Sequence, residues 1–266
     1  MTEKTTYTRE FRLKQAQEYL NDLTLLYNRQ DFLSNLPFNY LWLENIDNAK
    51  DKTIFAFSFF SADHIAELAI EYNDKGYNVF VGTNPIVKPM KENKRPKIED
   101  IAAQGVMVTD LTYKSAWHVD TANKKYPTIE QAQSFLPFEP TFFIDSGEKL
   151  QAHILLIEPI RLNTDAERKI AVNRTQNYIA VIREIAKKQG YSGCVGVNNL
   201  PKVVHLPGTY NLNHGRDYAP LCQFISADGK PYTGEMYCVE DLDNLIEKSI
   251  QNTQKNNLRE FIQQPK

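Results

Sequence analysis

Apolar residues recur at helical spacing near both ends of the chain and gather into short strand-like runs between them. Phe11, Ala16, Tyr19, Leu20, Leu23 and Leu26 fall on one face of a helix over 8–30. TIFAFSFF (53–60) reads as a buried strand, ADHIAELAIEYNDKG (62–76) as a helix stopped by Gly76, and YNVFVGTNPI (77–86) as a second strand. That β-α-β order predicts a layered α/β or α+β fold. Strands follow at VMVTDL (106–111) and KSAWHVDTA (114–122), with a helix near 128–136. PTFFIDSG (140–147) and LQAHILLIEPI (150–160) read as a strand pair joined through Ser146-Gly147. The clearest helix, 165–189, opens on a capping box of Thr164 and Glu167 and closes at Gly190. A short strand and a Pro207-Gly208 turn lie within 202–213, a turn signal stands at Asp228-Gly229, and a last helix starts near Val239.

The 266 residues suffice for one large domain or two closely packed ones. The expected organisation is a helical N-terminal segment over 1–50, a central domain over 51–240, and a C-terminal helix with a polar linker over 241–266. At 42% hydrophobic and 24% charged the chain is ordinary for a globular protein, and no apolar run reaches membrane-spanning length. With the polar start MTEKTTYTREFRLK, the expectation is a cytoplasmic protein with no membrane partner. A net charge of -2 neither favours nor excludes nucleic acid as partner. Cys194, Cys222 and Cys238 form no CxxC pair and read as reduced thiols. No GxxxxGK[ST] occurs, so these residues contain no P-loop.

Three stretches concentrate the candidate chemistry. AWHVDTANKKY places His118 and Asp120 one residue apart, on one face if the segment is a strand. SGEKLQAHILL follows, and then NNLPKVVHLPGTYN. In this order the three resemble the signature blocks of the archaeo-eukaryotic primase, or primase-polymerase, superfamily of plasmid, phage and mobile-element replication proteins, and YNVFVGTNPI resembles an earlier block of that family. The resemblance covers about residues 50–240. It implies an α+β fold: a central, mostly antiparallel sheet flanked by helices, with an N-terminal α/β layer beside it. The family's acidic pair maps to His118 and Asp120, or in another register to Asp120 and Ala122, and its third acid to Asn199. Asp120 is then the one metal ligand retained. Its nucleotide-contacting histidine maps to Gln151, with His153 two residues on, and Ser146, Gly147 and Lys149 belong to the same phosphate-binding block. Its basic positions map to Lys202 and His205.

The implied function is a primase-like domain with a degenerate catalytic site, acting in DNA binding, replication initiation or recruitment of a replicative helicase in cis or in trans. It would need no cofactor. An active primase-polymerase using Mg2+ or Mn2+ and nucleotides is the alternative, with Asp110 or Asp145 completing the site, and an unrelated α/β binding module is the third. Lys91, Lys94, Arg95 and Arg216 are the expected DNA contacts, the first three in a Pro-containing stretch that reads either as a solvated loop or as an arm on a phosphate backbone. Trp117, Tyr126 and Tyr210 either stack on bases or pack in the core.

Overall fold

The computed structural model describes residues 7–27, 38–48, 50–58, 61–90, 94–196, 199–225 and 234–263. In chain order the elements are α1 (Arg9–Tyr27), β1 (Asn39–Asn45), β2 (Lys52–Phe57), α2 (Ala62–Asp74), β3 (Tyr77–Gly82), β4 (Ala103–Thr112), α3 (Ile129–Gln133), β5 (Phe142–Asp145), β6 (Lys149–Arg161), α4 (Asp165–Lys188), β7 (Val203–His205), β8 (Gln223–Ile225) and α5 (Val239–Gln263). Lys91, Phe59, Phe60 and the Asp228-Gly229 turn lie outside the described residues.

Eight strands form two four-stranded sheets, ordered β2-β1-β3-β7 and β4-β6-β5-β8, and every pair is antiparallel. β1 lies between β2 and β3, so the β2-α2-β3 unit is a crossover with a strand inserted in its middle. The boundary expected at residue 50 therefore falls inside the β1-β2 hairpin.

One core joins Ala16, Tyr19, Leu20 and Leu23 of α1 and Ala66 and Ala69 of α2 to Leu41, Val79 and Val81 of the first sheet and Val106, Val108, Phe142 and Leu155 of the second. A second core lies on the opposite face of the second sheet, where Met107, Leu111, Leu150 and Ile154 meet Tyr178 and Ile182 of α4 and Leu242 and Ile246 of α5. β4 is thus buried on both faces, and Val106, Met107 and Val108 follow one another without polar alternation. Asp110 shares the face of Val106 and Val108 and looks toward the α1 side, between the sheets. Phe11 stands 39% exposed, off the helix face on which it was expected, and stacks on Tyr7 at 5.3 Å.

Asn84 ties the two sheets together. Its Oδ1 accepts from Gly105 N, Val106 N and the Tyr27 hydroxyl, at 3.0, 3.1 and 2.9 Å. Its Nδ2 donates to Val106 O and Leu200 O, at 3.1 Å each. The two N–H groups it receives lie where the β4-β6 register shifts, a place where a ladder cannot satisfy them.

The Pro207-Gly208 turn is clamped from two sides. Gly208 has φ +84, and a Cβ there would lie 2.0 Å from the Arg12 carbonyl oxygen, so only glycine fits against α1. Buried Arg12 donates to Gly208 O, Asn73 Oδ1 and Asp74 Oδ1 at 3.0, 2.9 and 2.7 Å, and its guanidinium lies 4.6 Å from the centre of the Tyr210 ring. Tyr210 therefore belongs to the packing of this turn.

Among the described residues, no helix is long and apolar enough to cross a membrane.

Candidate phosphate-binding and vestigial catalytic site

The acidic strand beside SGEKLQ is β4, one segment earlier than the HVD stretch. Residues 113–120 form no strand, which corrects the expected strand over 114–122. Ser115 Oγ accepts from Trp117 N and His118 N, at 3.3 Å each. Asp120 Oδ1 accepts from Tyr126 N at 2.9 Å, and Thr121 and Lys124 close a short turn. These local side-chain bonds compete with a ladder and win. Asp120 is exposed and paired with Lys114 at 2.8 Å. Hydrogen bonds from Lys114 and Tyr126 N hold its carboxyl below the usual range. His118 faces Tyr126 at 5.0 Å and contacts Ser115 Oγ at 3.4 Å. Burial lowers its imidazole, and the charges of Lys124, Lys149 and His214 add to that against an opposing pull from Glu148. His118 and Asp120 are therefore not the paired positions of a strand.

The carboxylate that does lie on a strand beside β6 is Asp110. On the β4-β6 ladder Asp110 sits opposite Gln151 and Thr112 opposite Lys149, so the four side chains share one face. One residue beyond Asp110 on that face, where a second carboxylate would complete the pair, stands Thr112. Asp110 is 6% exposed. Its Oδ2 accepts from Lys202 Nζ at 2.5 Å, and its Oδ1 from Gln151 Nε2 at 3.4 Å. Burial alone would raise this carboxyl, but the Lys202 ammonium, reinforced by Lys149 and Gln151, holds it below the usual range. Lys202 is itself fixed from behind, because its carbonyl accepts from both Thr83 N and Thr83 Oγ1 at 3.1 Å.

His205, three residues along, pairs with Phe80 across the β3-β7 ladder and lies against its ring at 4.2 Å. It is buried, its Nδ1 has no partner among the described residues, and burial holds its imidazole at about 3, so it is neutral at physiological pH. Trp42 and Glu44 continue this face of the first sheet. Arg95, 5.4 Å from Trp42 and 5.7 Å from Phe80, donates to Glu44 Oε1 at 3.2 Å.

Other expected site residues are placed differently. His153 is 0% exposed, stacked on Phe142 at 4.7 Å and edge-on to Tyr19 at 5.7 Å. Burial drops its imidazole to about 3, so it is a neutral core residue out of reach of a phosphate. Ser146 is 2% exposed, with its hydroxyl bonded to Lys149 N and O, and therefore offers no donor to a ligand. Gly147 N is bonded to Asp145 Oδ1 at 2.7 Å, and a Cβ on Gly147 would lie 2.1 Å from Pro220, so this glycine serves packing. The turn does face the Pro207–Asn211 turn, since Asn211 Nδ2 donates to Ser146 O at 3.0 Å. Asp145 cannot complete a site with Asp110. It lies opposite Leu150, on the far face of the sheet, where Tyr113 OH donates to it at 2.7 Å. Asn199 is exposed and makes no hydrogen bond among the described residues. Lys94 and Arg95 are exposed, and Arg216 is engaged with Asp47 Oδ2 at 2.9 Å.

Asp110 enters the sequence reading only as a supplementary acid, and Trp42, Glu44 and Phe80 do not enter it. The available signal was an acid and a threonine one apolar residue apart at the end of a long apolar strand. Among the described residues, no group of three or more His, Cys, Asp or Glu side chains is placed to hold a metal ion. Mg2+ requires oxygen ligands, and a two-metal site needs several of them around ions about 4 Å apart. One carboxylate already joined to an ammonium does not fit that requirement.

No protein-family model matches the chain, and no curated protein matches it by sequence. By structure it is similar to the AEP domain of the cyanophage S-2L primase-polymerase, with a TM-score of 0.51 and 11% identity over 88% of this chain and 97% of that one. It is also similar to the catalytic domain of primase RepB′ in complex with initiator DNA (TM-score 0.46, 12% identity, 96% and 100% covered) and to primase RepB′ (TM-score 0.43, 10% identity, 90% and 65% covered). The chain has the mixed helical and antiparallel fold of a primase-polymerase domain.

Proposed function

We propose that this chain is a DNA-binding domain of a mobile-element replication protein that keeps the primase-polymerase fold without nucleotidyl transfer. The observation that carries this reading is the Asp110–Lys202 ion pair at 2.5 Å, with Thr112 where a second acid would stand. Nucleotidyl transfer by two metals depends on clustered anionic ligands that hold both ions against the triphosphate. Here the one carboxylate on this face of β4 is neutralised by a lysine of the same chain. The lysines on and beside this face support a phosphate-bearing partner. Lys149 makes no ion pair among the described residues, and the adjoining loop carries Lys124, 4.7 Å from the Tyr126 ring, and Trp117 stacked on His214 at 4.5 Å. Cations interleaved with aromatic rings suit single-stranded nucleic acid. A replicative helicase, in cis or in trans, is the second partner this reading expects, in the cytoplasm of the host.

The test is a pair of assays on the purified chain. Templated dinucleotide synthesis and primer extension with Mg2+ or Mn2+ should give no product. Gel shift with single- and double-stranded DNA should show salt-sensitive binding that weakens in Lys149→Gln. Metal-dependent extension abolished by Asp110→Ala would instead establish an active primase-polymerase. Failure to bind DNA of either kind would remove nucleic acid as the partner.

A further inference from the structure

We infer that Lys202 acts as a tethered cation in place of a metal ion, so that this face of β4 and β6 binds a phosphate group without any divalent metal. This deepens the reading of the site as vestigial and rests on it. An ammonium has three N–H donors. One of those on Lys202 goes to Asp110, and no other protein acceptor takes the remaining two among the described residues. The Lys202 side chain is 17% exposed, so the pair is not sealed from solvent. A metal bound to one carboxylate would present the same arrangement: one face toward the acid and open positions toward phosphate.

Three further groups border this position. Lys149 lies on the same face of β6 as Gln151 and forms no ion pair among the described residues, and its charge is felt at Asp110, His205 and His118. The His205 Nδ1 and Gln151 Oε1 atoms are both buried without a partner among the described residues. Such polar groups are left unsatisfied at a cost, and they would be satisfied by a ligand offering both acceptors and hydroxyls. Glu148 is occupied by His214 at 2.5 Å. Lys149 and Lys202 face the carboxylates of Asp110 and Glu148 here, and of the two lysines only Lys202 is paired with one of them among the described residues. A phosphate meets the ammonium donors of Lys202 and Lys149, and it can come from a nucleoside triphosphate or from a nucleic-acid backbone.

Isothermal titration calorimetry with inorganic tripolyphosphate, dATP and a mixed-sequence single-stranded oligonucleotide, each in EDTA and in MgCl2, tests the inference. At least one of the three should bind in EDTA, and magnesium should not tighten it. Lys149→Gln should weaken that binding by about tenfold, as expected for a charge-assisted contact. Lys202→Met alone leaves a buried carboxylate unpaired, so the matched variant is Asp110→Leu with Lys202→Met, which keeps the volume apolar and should weaken binding to a similar extent. Binding of tripolyphosphate and dATP assigns the phosphate to a nucleotide, and binding of the oligonucleotide alone assigns it to a backbone. No binding in EDTA, binding that requires magnesium, or binding untouched by both variants would overturn the inference. Metal-free tripolyphosphate binding in a protein that fails to shift DNA would instead sink the DNA-binding reading and leave the inference standing.

Discussion

Removing Lys202 should destabilise the domain in a pH-dependent way that no solvent-exposed pair would show. Asp110 and Lys202 have side chains only 9% and 17% exposed, and the oxygen and nitrogen lie 2.5 Å apart. Breaking a buried pair by deleting one partner costs about 3–5 kcal/mol, and some water access at Lys202 places this pair toward the lower figure. Lys202→Met should therefore lose about 3 kcal/mol at pH 7. Asp110→Asn should lose less, roughly 1–2 kcal/mol, because the freed ammonium can extend toward water. Joint replacement by Leu and Met should be close to neutral, giving a double-mutant coupling of a few kcal/mol. The sign with pH follows from the direction of the shift. In the wild type the Asp110 carboxyl lies below its ordinary range, so the pair contributes fully above about pH 3.9 and is lost as pH falls through the depressed value. In Lys202→Met the cation is gone and burial governs, so the carboxyl rises and takes up a proton as pH falls from 7 toward 5. The deficit of the variant should shrink over that interval while the wild-type contribution of this pair stays constant. Urea unfolding at pH 7 and pH 5 measures both. A Lys202→Met loss under 1 kcal/mol at pH 7, a deficit that does not change with pH, or a double variant as unstable as the worse single one would refute the argument.

Asn84→Ala strands two buried N–H groups of β4 and should cost about 3 kcal/mol or more, a fall in Tm of roughly 10 °C by scanning fluorimetry; a change under 2 °C would show that the tie is dispensable. Asp22, half-buried on α1 with one oxygen unpartnered, has its carboxyl raised to about 7 by burial and by Glu18. A raised carboxyl destabilises the fold increasingly from about pH 4 up to pH 7, so Asp22→Asn should gain roughly 2 kcal/mol at pH 8 and nothing at pH 4; an equal gain at both would point to another cause. His153, held at about 3, should withhold a proton that the unfolded chain accepts below about pH 6.5. Stability should therefore fall as pH drops toward 4, and His153→Phe should flatten that acid limb in pH-dependent denaturant melts; an unchanged limb would exonerate the histidine.

How much of this was legible in the sequence depends on where the determining interaction lies. Helix α4 could be read to within a residue because its start signal is local: Thr164 and Glu167 cap each other's backbone. The start of α5 and the β5-β6 pair about Ser146-Gly147 are local in the same way. β1 was missed because NYLWLEN sits mid-sheet with both faces covered, so it lacks the alternation that marks a half-buried strand. HVD was read as a strand because its residues alternate, whereas Ser115 and Asp120 spend their oxygens on nearby N–H groups. The strand carboxylate beside β6 is instead Asp110. Asp110 becomes the partner of Gln151 only once β4 and β6 pair in register, and the approach of Lys202 needs the first sheet as well.

The residues that carry the family resemblance and the residues that face the cleft answer to different forces. Gly208 is required by the α1 backbone behind it, Thr209 Oγ1 bonds Leu206 O at 2.6 Å, Asn211 reaches Ser146 O, and Asn84 joins β3 to β4. None of these contacts involves a ligand, so all are needed whether or not the site does chemistry. Asp110, Thr112, Gln151 and Lys149 take no part in them. Asp110 is constrained in one respect. At 6% exposure an unpaired carboxylate would cost several kcal/mol or be forced to protonate, so as long as the acid remains it needs a cation within reach. A metal ion meets that need only with further anionic ligands to hold it, and a lysine meets it alone. Once Thr112 occupies the second position, Lys202 is the counter-charge that allows Asp110 to stay ionised in the folded domain.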